Sequence, residues 1–294
     1  MFDRIIVRET PEGMAHKAAR AIQREIIENN DKKIPTVLGL ATGSTPEPLY
    51  KELVRMHKEE HLDFSSVITF NLDEYLGLDA THTQSYHYYM HHHFFDHVNI
   101  KKENIHMLDG TVPPHLIEQH VNAYEEKIRE VGGIDIQMLG LGLNGHIGFN
   151  EPGSTFDSKT RLVQLDDKTR EANKRFFSSI DLLPTHALSM GIGTILQYSK
   201  TCYLLATGLT KADIINEVMT ASSPNLDVPA TALYAHKSVT VFLDEKAASK
   251  LPTTAETRAP LFSSRSVFVS PKALERTPAH FSDGPRLDTM STFQ

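Results

Sequence analysis

Ile134-Asp-Ile-Gln-Met-Leu-Gly-Leu-Gly-Leu-Asn-Gly-His-Ile-Gly-Phe-Asn-Glu-Pro152 passes from an apolar, β-branched run straight into a glycine-framed polar turn. A short apolar run closed by glycines has the pattern of a buried strand ending in a loop. The same pattern recurs at residues 36–40, 67–70, 201–206 and 239–243, and a first strand starts within a few residues of the N-terminus. Between these runs, residues 16–29, 46–60, 85–97, 116–131, 169–177 and 210–221 carry apolar side chains every three or four positions, which predicts helices. Strands alternating with helices predict an α/β fold with a mostly parallel sheet, flanked by helices on both faces.

The chain has 294 residues, 40% of them hydrophobic and 23% charged, a mixture that folds around a core without staples. Past about residue 250 the pattern changes: Pro252, Pro260, Pro271, Pro278 and Pro285 are spread among Ser and Thr, with one further strand expected near residues 261–269. The expected organisation is therefore one domain over residues 1–250 and a Pro/Ser/Thr-rich extension over residues 251–294. A formal charge of -7 supplies no global positive field, so nucleic acid and anionic membrane surfaces are not expected partners, and any anionic ligand must be held by local groups. No eighteen apolar residues run together, and the N-terminal MFDRIIVRET lacks the apolar stretch of a signal peptide, which points to the cytoplasm. The one cysteine, Cys202, lies in an apolar run and reads as a buried, inert thiol.

In an open parallel sheet, ligands bind beyond the carboxyl ends of the strands. Four groups of residues there carry chemistry. Leu40-Ala-Thr-Gly-Ser-Thr-Pro46 offers backbone amides and the hydroxyls of Thr42, Ser44 and Thr45 ahead of a helix, which suits a phosphate; the plain alternative is an N-cap by Ser44 or Thr45. Phe70-Asn-Leu-Asp-Glu-Tyr75 places Asp73 and Glu74 directly after a strand, where one carboxylate can serve as a general base and the other as a helix-start acid. Asn144, His146, Asn150 and Glu151 fall within eight residues of one glycine-rich turn, so the histidine has a carboxylate at hand to orient it. Arg175 and Lys211 are the cations placed to join the first turn around an anion. His87 and His91, and His93 and His97, have the one-turn spacing that zinc enzymes use, but they sit among Phe and Tyr without the glutamate of a zinc motif and read as structural, so no metal is expected.

Taken in order, ATGSTP, FNLDEY, SYHYYMHHHFFDHV, LGLNGHIGFNEPG, SKTR, TREANKRFF and GLTKA resemble the glucosamine-6-phosphate deaminase family over roughly residues 1–250. The resemblance implies a Rossmann-like fold and the cofactor-free conversion of glucosamine 6-phosphate and water to fructose 6-phosphate and ammonia. It implies Asp73 as the base between C2 and C1, and His146 as the group that assists ring opening, tuned by Asn144 and Glu151. Thr42, Gly43, Ser44, Arg175 and Lys211 would hold the phosphate. The expected partner is a small amino sugar phosphate; the family contains both monomers and homo-oligomers.

Two departures stand out. Asn144 replaces an acidic residue of some members, which places more of the ring-opening role on Glu151. Ser154 and Arg161 match part of the site through which hexameric members respond to N-acetylglucosamine 6-phosphate, but Val163 stands where they have a lysine, so weak or absent activation is expected. Three other readings compete. A 6-phosphogluconolactonase shares the fold but has GHxASLFP where this chain has GHIGFNEP. A non-catalytic sugar-phosphate sensor carries a helix-turn-helix ahead of its first strand. A deaminase for galactosamine 6-phosphate would use the same residues.

Overall fold

The computed structural model describes residues 2, 4–166 and 183–252. In chain order the elements are β1 (Arg4–Arg8), α1 (Pro11–Asp31), β2 (Val37–Leu40), α2 (Glu47–Glu60), β3 (Ile68–Asn71), β4 (Asp73–Tyr75), α3 (Tyr86–His93), β5 (Ile105–His106), α4 (Ile117–Glu130), β6 (Ile134–Gly140), β7 (Arg161–Gln164), β8 (His186–Ser189), α5 (Ile192–Tyr198), β9 (Ser199–Ala206), α6 (Ala212–Thr220) and β10 (Val239–Asp244). Seven strands form one sheet in the order β1-β10-β9-β6-β2-β3-β5, and all its pairings are parallel.

Alternate strand residues serve two cores, as the two-residue period of a strand demands. On one face, Leu38, Leu40, Ile136, Met138 and Phe242 pack against Ile22 and Ile26 of α1, Leu49 and Leu53 of α2, and Met90 of α3. On the other, Val37, Phe70, Leu139, Leu204 and Val241 meet Val121 and Ile128 of α4, Ile195 of α5, and Ile215 and Val218 of α6. Each fully buried aliphatic side chain contributes about 1.5–3 kcal/mol, so truncating Ile22 or Leu38 to Ala would cost about 2–5 kcal/mol. The doubly covered parallel sheet is the architecture expected from the alternating pattern. Leu251 still packs against the second core, so the ordered domain reaches at least that far.

Where the elements differ from expectation, local chemistry explains it. The first helix starts at Pro11 because Thr10 caps it, its hydroxyl accepting the Gly13 N–H at 3.1 Å with proline in the first turn. The third helix stops at His93: Phe94 leaves helical geometry, and its ring stacks on Tyr50 with centroids 5.3 Å apart. A 3-10 turn over Phe95–His97 completes the stretch. A three-stranded antiparallel sheet, β4-β8-β7, was not anticipated, because strands of three and four residues show no usable periodicity. The expected helix over 169–177 and strand over 261–269 lie outside the described residues, as does all but the start of the 251–294 extension. Among the described residues no helix is long and apolar enough to cross a membrane.

Candidate active site

From β2 the chain proceeds to β3 on one side, while its other neighbour, β6, leads on to β9. The strand order therefore reverses between β2 and β6, and a crevice opens beyond their carboxyl ends. The loops after β2, β3, β6 and β9 border it, and they hold Thr42, Gly43, Ser44, Asp73, Asn144, His146, Glu151 and Lys211.

In the loop after β2, Gly43 has φ of 101° and nothing within 4 Å of the place a Cβ would occupy, so its backbone faces open space. Two tyrosines hold the carbonyls: the Tyr50 hydroxyl donates to Ala41 O at 2.5 Å and the Tyr89 hydroxyl to Gly43 O at 2.7 Å. The residue that begins α2 is Pro46, and no side chain caps it. Ser44 and Thr45 thus do not serve as N-caps, and their hydroxyls take no part in holding the start of α2, which begins with the amide end of its dipole, a setting that suits an anion.

Asp73 and Glu74 diverge, as adjacent strand residues must. The Glu74 carboxylate accepts N–H groups from Tyr75, Tyr86 and His87 at 2.8, 2.9 and 2.8 Å, and so serves the start of α3. Asp73 faces the glycine-histidine turn: a Cβ on Gly148 would stand 3.5 Å from Asp73 Oδ2. Burial, with the Glu74 charge alongside, pushes Asp73 up to about 8. Burial also pushes Glu74 up, to about 7, against the opposing pull of its three amide donors.

In the loop after β6, Gly142 N–H donates to His146 O at 2.9 Å and closes the turn. Asn144 bridges it, accepting the His146 N–H at 3.3 Å and donating to Glu151 Oε2 at 2.6 Å. The same Glu151 oxygen lies 3.3 Å from His146 Nδ1, near enough for charge attraction but off the line of a hydrogen bond. Glu151 on the Nδ1 side leaves Nε2 as the ring nitrogen for a ligand.

Lys211 follows β9 and sends Nζ to Leu141 O at 2.5 Å, so this cation reaches the base of the histidine turn. Arg175 lies outside the described residues. Arg161 and Ser154 do come together, with Nη2 donating to Ser154 Oγ at 3.2 Å and Nη1 to Asn150 Oδ1 at 2.9 Å. The buried Asn150 amide also donates to Ile147 O and Met190 O, both at 2.9 Å. The histidine-rich helix contributes stacking: the His87 and His91 rings lie 4.6 Å apart at 22°, and His91 Nδ1 meets Asp96 at 2.8 Å. Among the described residues no three His, Cys, Asp or Glu side chains are grouped to hold a metal ion.

Sequence reasoning missed Ser189 and Tyr86. Ser189 is in register with both Asp73 and Arg161 across the small sheet, and its hydroxyl accepts the Phe149 N–H at 3.0 Å. It thereby ties the strand of Asp73 to the histidine turn. The Tyr86 ring stacks on Phe149 of the histidine turn and lies 4.8 Å from the Tyr75 ring. Their signal lies in antiparallel register and helix phase, which appear only once the short strands are placed.

The loops thus offer a buried carboxylate at Asp73, a carboxylate-supported imidazole at His146 with Lys211 at the base of its turn, and an open turn at Gly43. That set can move protons on a ligand held by an anionic group.

Residues 9–242 match the family model described as glucosamine-6-phosphate isomerases/6-phosphogluconolactonase. The chain is 49% identical over 249 residues to a glucosamine-6-phosphate deaminase of Thermoanaerobacter sp. (strain X514), covering 85% of this chain and 95% of that relative. It is 47% identical over 249 residues to glucosamine-6-phosphate deaminase 2 of Bacillus subtilis (strain 168), covering 84% and 97%. A solved monomeric glucosamine-6-phosphate deaminase of the NagB superfamily superposes with a TM-score of 0.80 at 42% identity, covering 84% of this chain and 99% of that one. The 6-phosphogluconolactonase of Trypanosoma brucei shares the fold, with a TM-score of 0.67 at 22% identity over 85% of this chain and 99% of its own.

Proposed function

The chain belongs to the family of glucosamine-6-phosphate isomerases and 6-phosphogluconolactonases, and we propose that within it this protein is a glucosamine-6-phosphate deaminase. The observation that carries the reading is the placement of the buried Asp73 carboxylate against the Gly148 end of the His146 turn, with Glu151 behind the imidazole. A lactone hydrolase needs no base at a sugar carbon; an aldose-to-ketose deaminase does.

The residues divide the reaction as follows. His146 moves the anomeric hydroxyl proton to the ring oxygen, which opens the pyranose, and Glu151 stabilises the imidazolium formed on the way. Asp73 removes the C2 proton, leaving an enolamine, and the proton returns to C1. The resulting C2 imine takes up water and expels ammonia, leaving fructose 6-phosphate. Atoms balance without a cofactor. Thr42, Gly43, Ser44, Lys211 and Arg175 hold the phosphate, which fixes the register of C1 and C2 against Asp73. A strong base suits a weakly acidic C–H, and the burial that raises Asp73 gives it that strength.

A cytoplasmic location belongs to the same proposal, and cell fractionation tests it. Sedimentation velocity at assay concentration reads whether copies associate.

The deciding experiment measures ammonia from glucosamine 6-phosphate and from galactosamine 6-phosphate, beside hydrolysis of 6-phosphogluconolactone. Ammonia from glucosamine 6-phosphate is the expected result. Lactone hydrolysis without ammonia would replace this reading with the hydrolase.

A further inference from the structure

Glu74 stands next to the assigned base and takes no part in the chemistry above. Its side chain is buried, at 2% exposure, and its carboxylate is turned toward α3. That helix already has an N-cap: Ser85 Oγ accepts the Tyr88 N–H at 3.0 Å, and Ser85 O accepts the Tyr89 N–H at 3.0 Å. Glu74 takes the two amides that remain, those of Tyr86 and His87. A capping contact is worth about 1 kcal/mol, while the effective penalty of burying a carboxylate is several kcal/mol. Capping alone is a poor account of this residue.

What the carboxylate achieves is a join between the strand of Asp73 and the first residue of α3. That residue, Tyr86, stacks on Phe149 of the histidine turn at 6.0 Å and 8°, and its ring lies 4.8 Å from that of Tyr75. One turn further along, Tyr89 holds Gly43 O. The loop around Gly110 seals the join, its backbone so close that a Cβ there would lie 2.4 Å from the carbonyl oxygens of Tyr75 and Leu78. The charged groups that face Glu74 are Asp73 on its own strand and Asp109 on that loop, both acidic.

We propose that Glu74 is a positioning residue which, through the N-terminus of α3 and Tyr89, sets the distance between Asp73 and the phosphate-binding turn at Thr42 and Gly43. The catalytic half of this inference rests on the deaminase reading; the structural join does not.

The test uses the full chain with Glu74→Gln and Tyr89→Phe, read by amide hydrogen exchange without substrate and by ammonia-release kinetics. Glu74→Gln is expected to speed exchange about ten-fold at residues 86–87 and at residues 42–44, with α1 unchanged, because each lost or weakened hydrogen bond is worth about 1.4 kcal/mol. Tyr89→Phe, which removes the hydroxyl that holds Gly43 O, is expected to speed exchange at 42–44 alone. Both variants should raise KM for glucosamine 6-phosphate about ten-fold, and Glu74→Gln should also move the acid limb of kcat to lower pH. Faster exchange confined to residues 86–87, with KM and the pH profile unmoved, would make Glu74 a helix cap and overturn the proposal. If Glu74→Gln does not fold, unchanged exchange at 42–44 in Tyr89→Phe overturns it equally. Absence of ammonia from the wild type would sink the deaminase reading, while the exchange result still decides the join.

Discussion

Gly142 and His146 are packed so closely that a Cβ built on the glycine would stand 2.3 Å from two atoms of the imidazole. The ring occupies the volume that any other residue at 142 would need.

Gly142→Ala must therefore displace the imidazole from Glu151 or break the Gly142–His146 turn. A displacement of about 1 Å at a reacting group costs about 100-fold in rate. A loss of kcat between about 10- and 100-fold is expected, with a thermal midpoint lowered by only a few degrees. Ammonia release and a melting curve on the same preparation check this, and a wild-type kcat would mean that the ring need not stand where it does.

Asp73→Asn keeps the shape of the side chain and removes the base. General-base catalysis is worth about 10²–10⁴-fold, so kcat should fall by that amount, together with exchange of the C2 proton with deuterated solvent. Retention of C2 exchange would assign the base elsewhere.

The same carboxylate makes stability depend on pH. Asp73 is raised in the folded chain to about 8, above its ordinary value near 3.8, so the folded state binds more protons than the unfolded state between those limits. Stability is then present below the lower value and is lost as pH rises toward 8. Asp73→Asn removes that dependence. The variant should be more stable than the wild type at pH 8, by on the order of 1–3 kcal/mol, with the gap closing toward pH 4. Urea unfolding at both pH values measures it, and a gap that widens toward acid would contradict the sign.

Glu151 and Asn144 should differ in weight. Glu151 supplies charge to the imidazole, whereas Asn144 supplies one hydrogen bond to Glu151 at 2.6 Å and accepts one from the His146 backbone. Glu151→Gln should lower kcat about 100-fold and Asn144→Ala about three- to ten-fold. Equal losses would mean that Asn144 does more than orient its neighbour.

N-acetylglucosamine 6-phosphate should leave the rate curve unchanged. Arg161 is already engaged by Asn150 and Ser154, and Val163 offers no cation. A sigmoidal curve that becomes hyperbolic on titration would show the opposite.

Much of this was legible in the sequence because strands buried on both faces announce themselves. The runs at 36–40 and 134–139 have no other reading once glycine-rich turns follow them, and those turns mark the crevice. From the residues alone Asp73 and Glu74 could be separated only in kind, one base and one helix-start acid; the resemblance names Asp73 as the base, and the N–H groups that α3 presents occupy Glu74. Ser189 could not be read at all, since it meets Asp73 through an antiparallel register across strands far apart in the chain. Tyr86 was hidden for a related reason, since one tyrosine in the run YHYYMHHH looks like packing until its ring is found stacked on Phe149 of the histidine turn.

Cys202, fully buried in β9 with its thiol pushed up to about 12 by that burial, gives the molecule a built-in chemical clock. It is the one sulfhydryl in 294 residues, and it sits in the second strand from the centre of the large sheet. An aromatic disulfide reagent can reach it only when the sheet itself comes apart, so the rate of colour release reports opening of the central sheet without any label having been introduced.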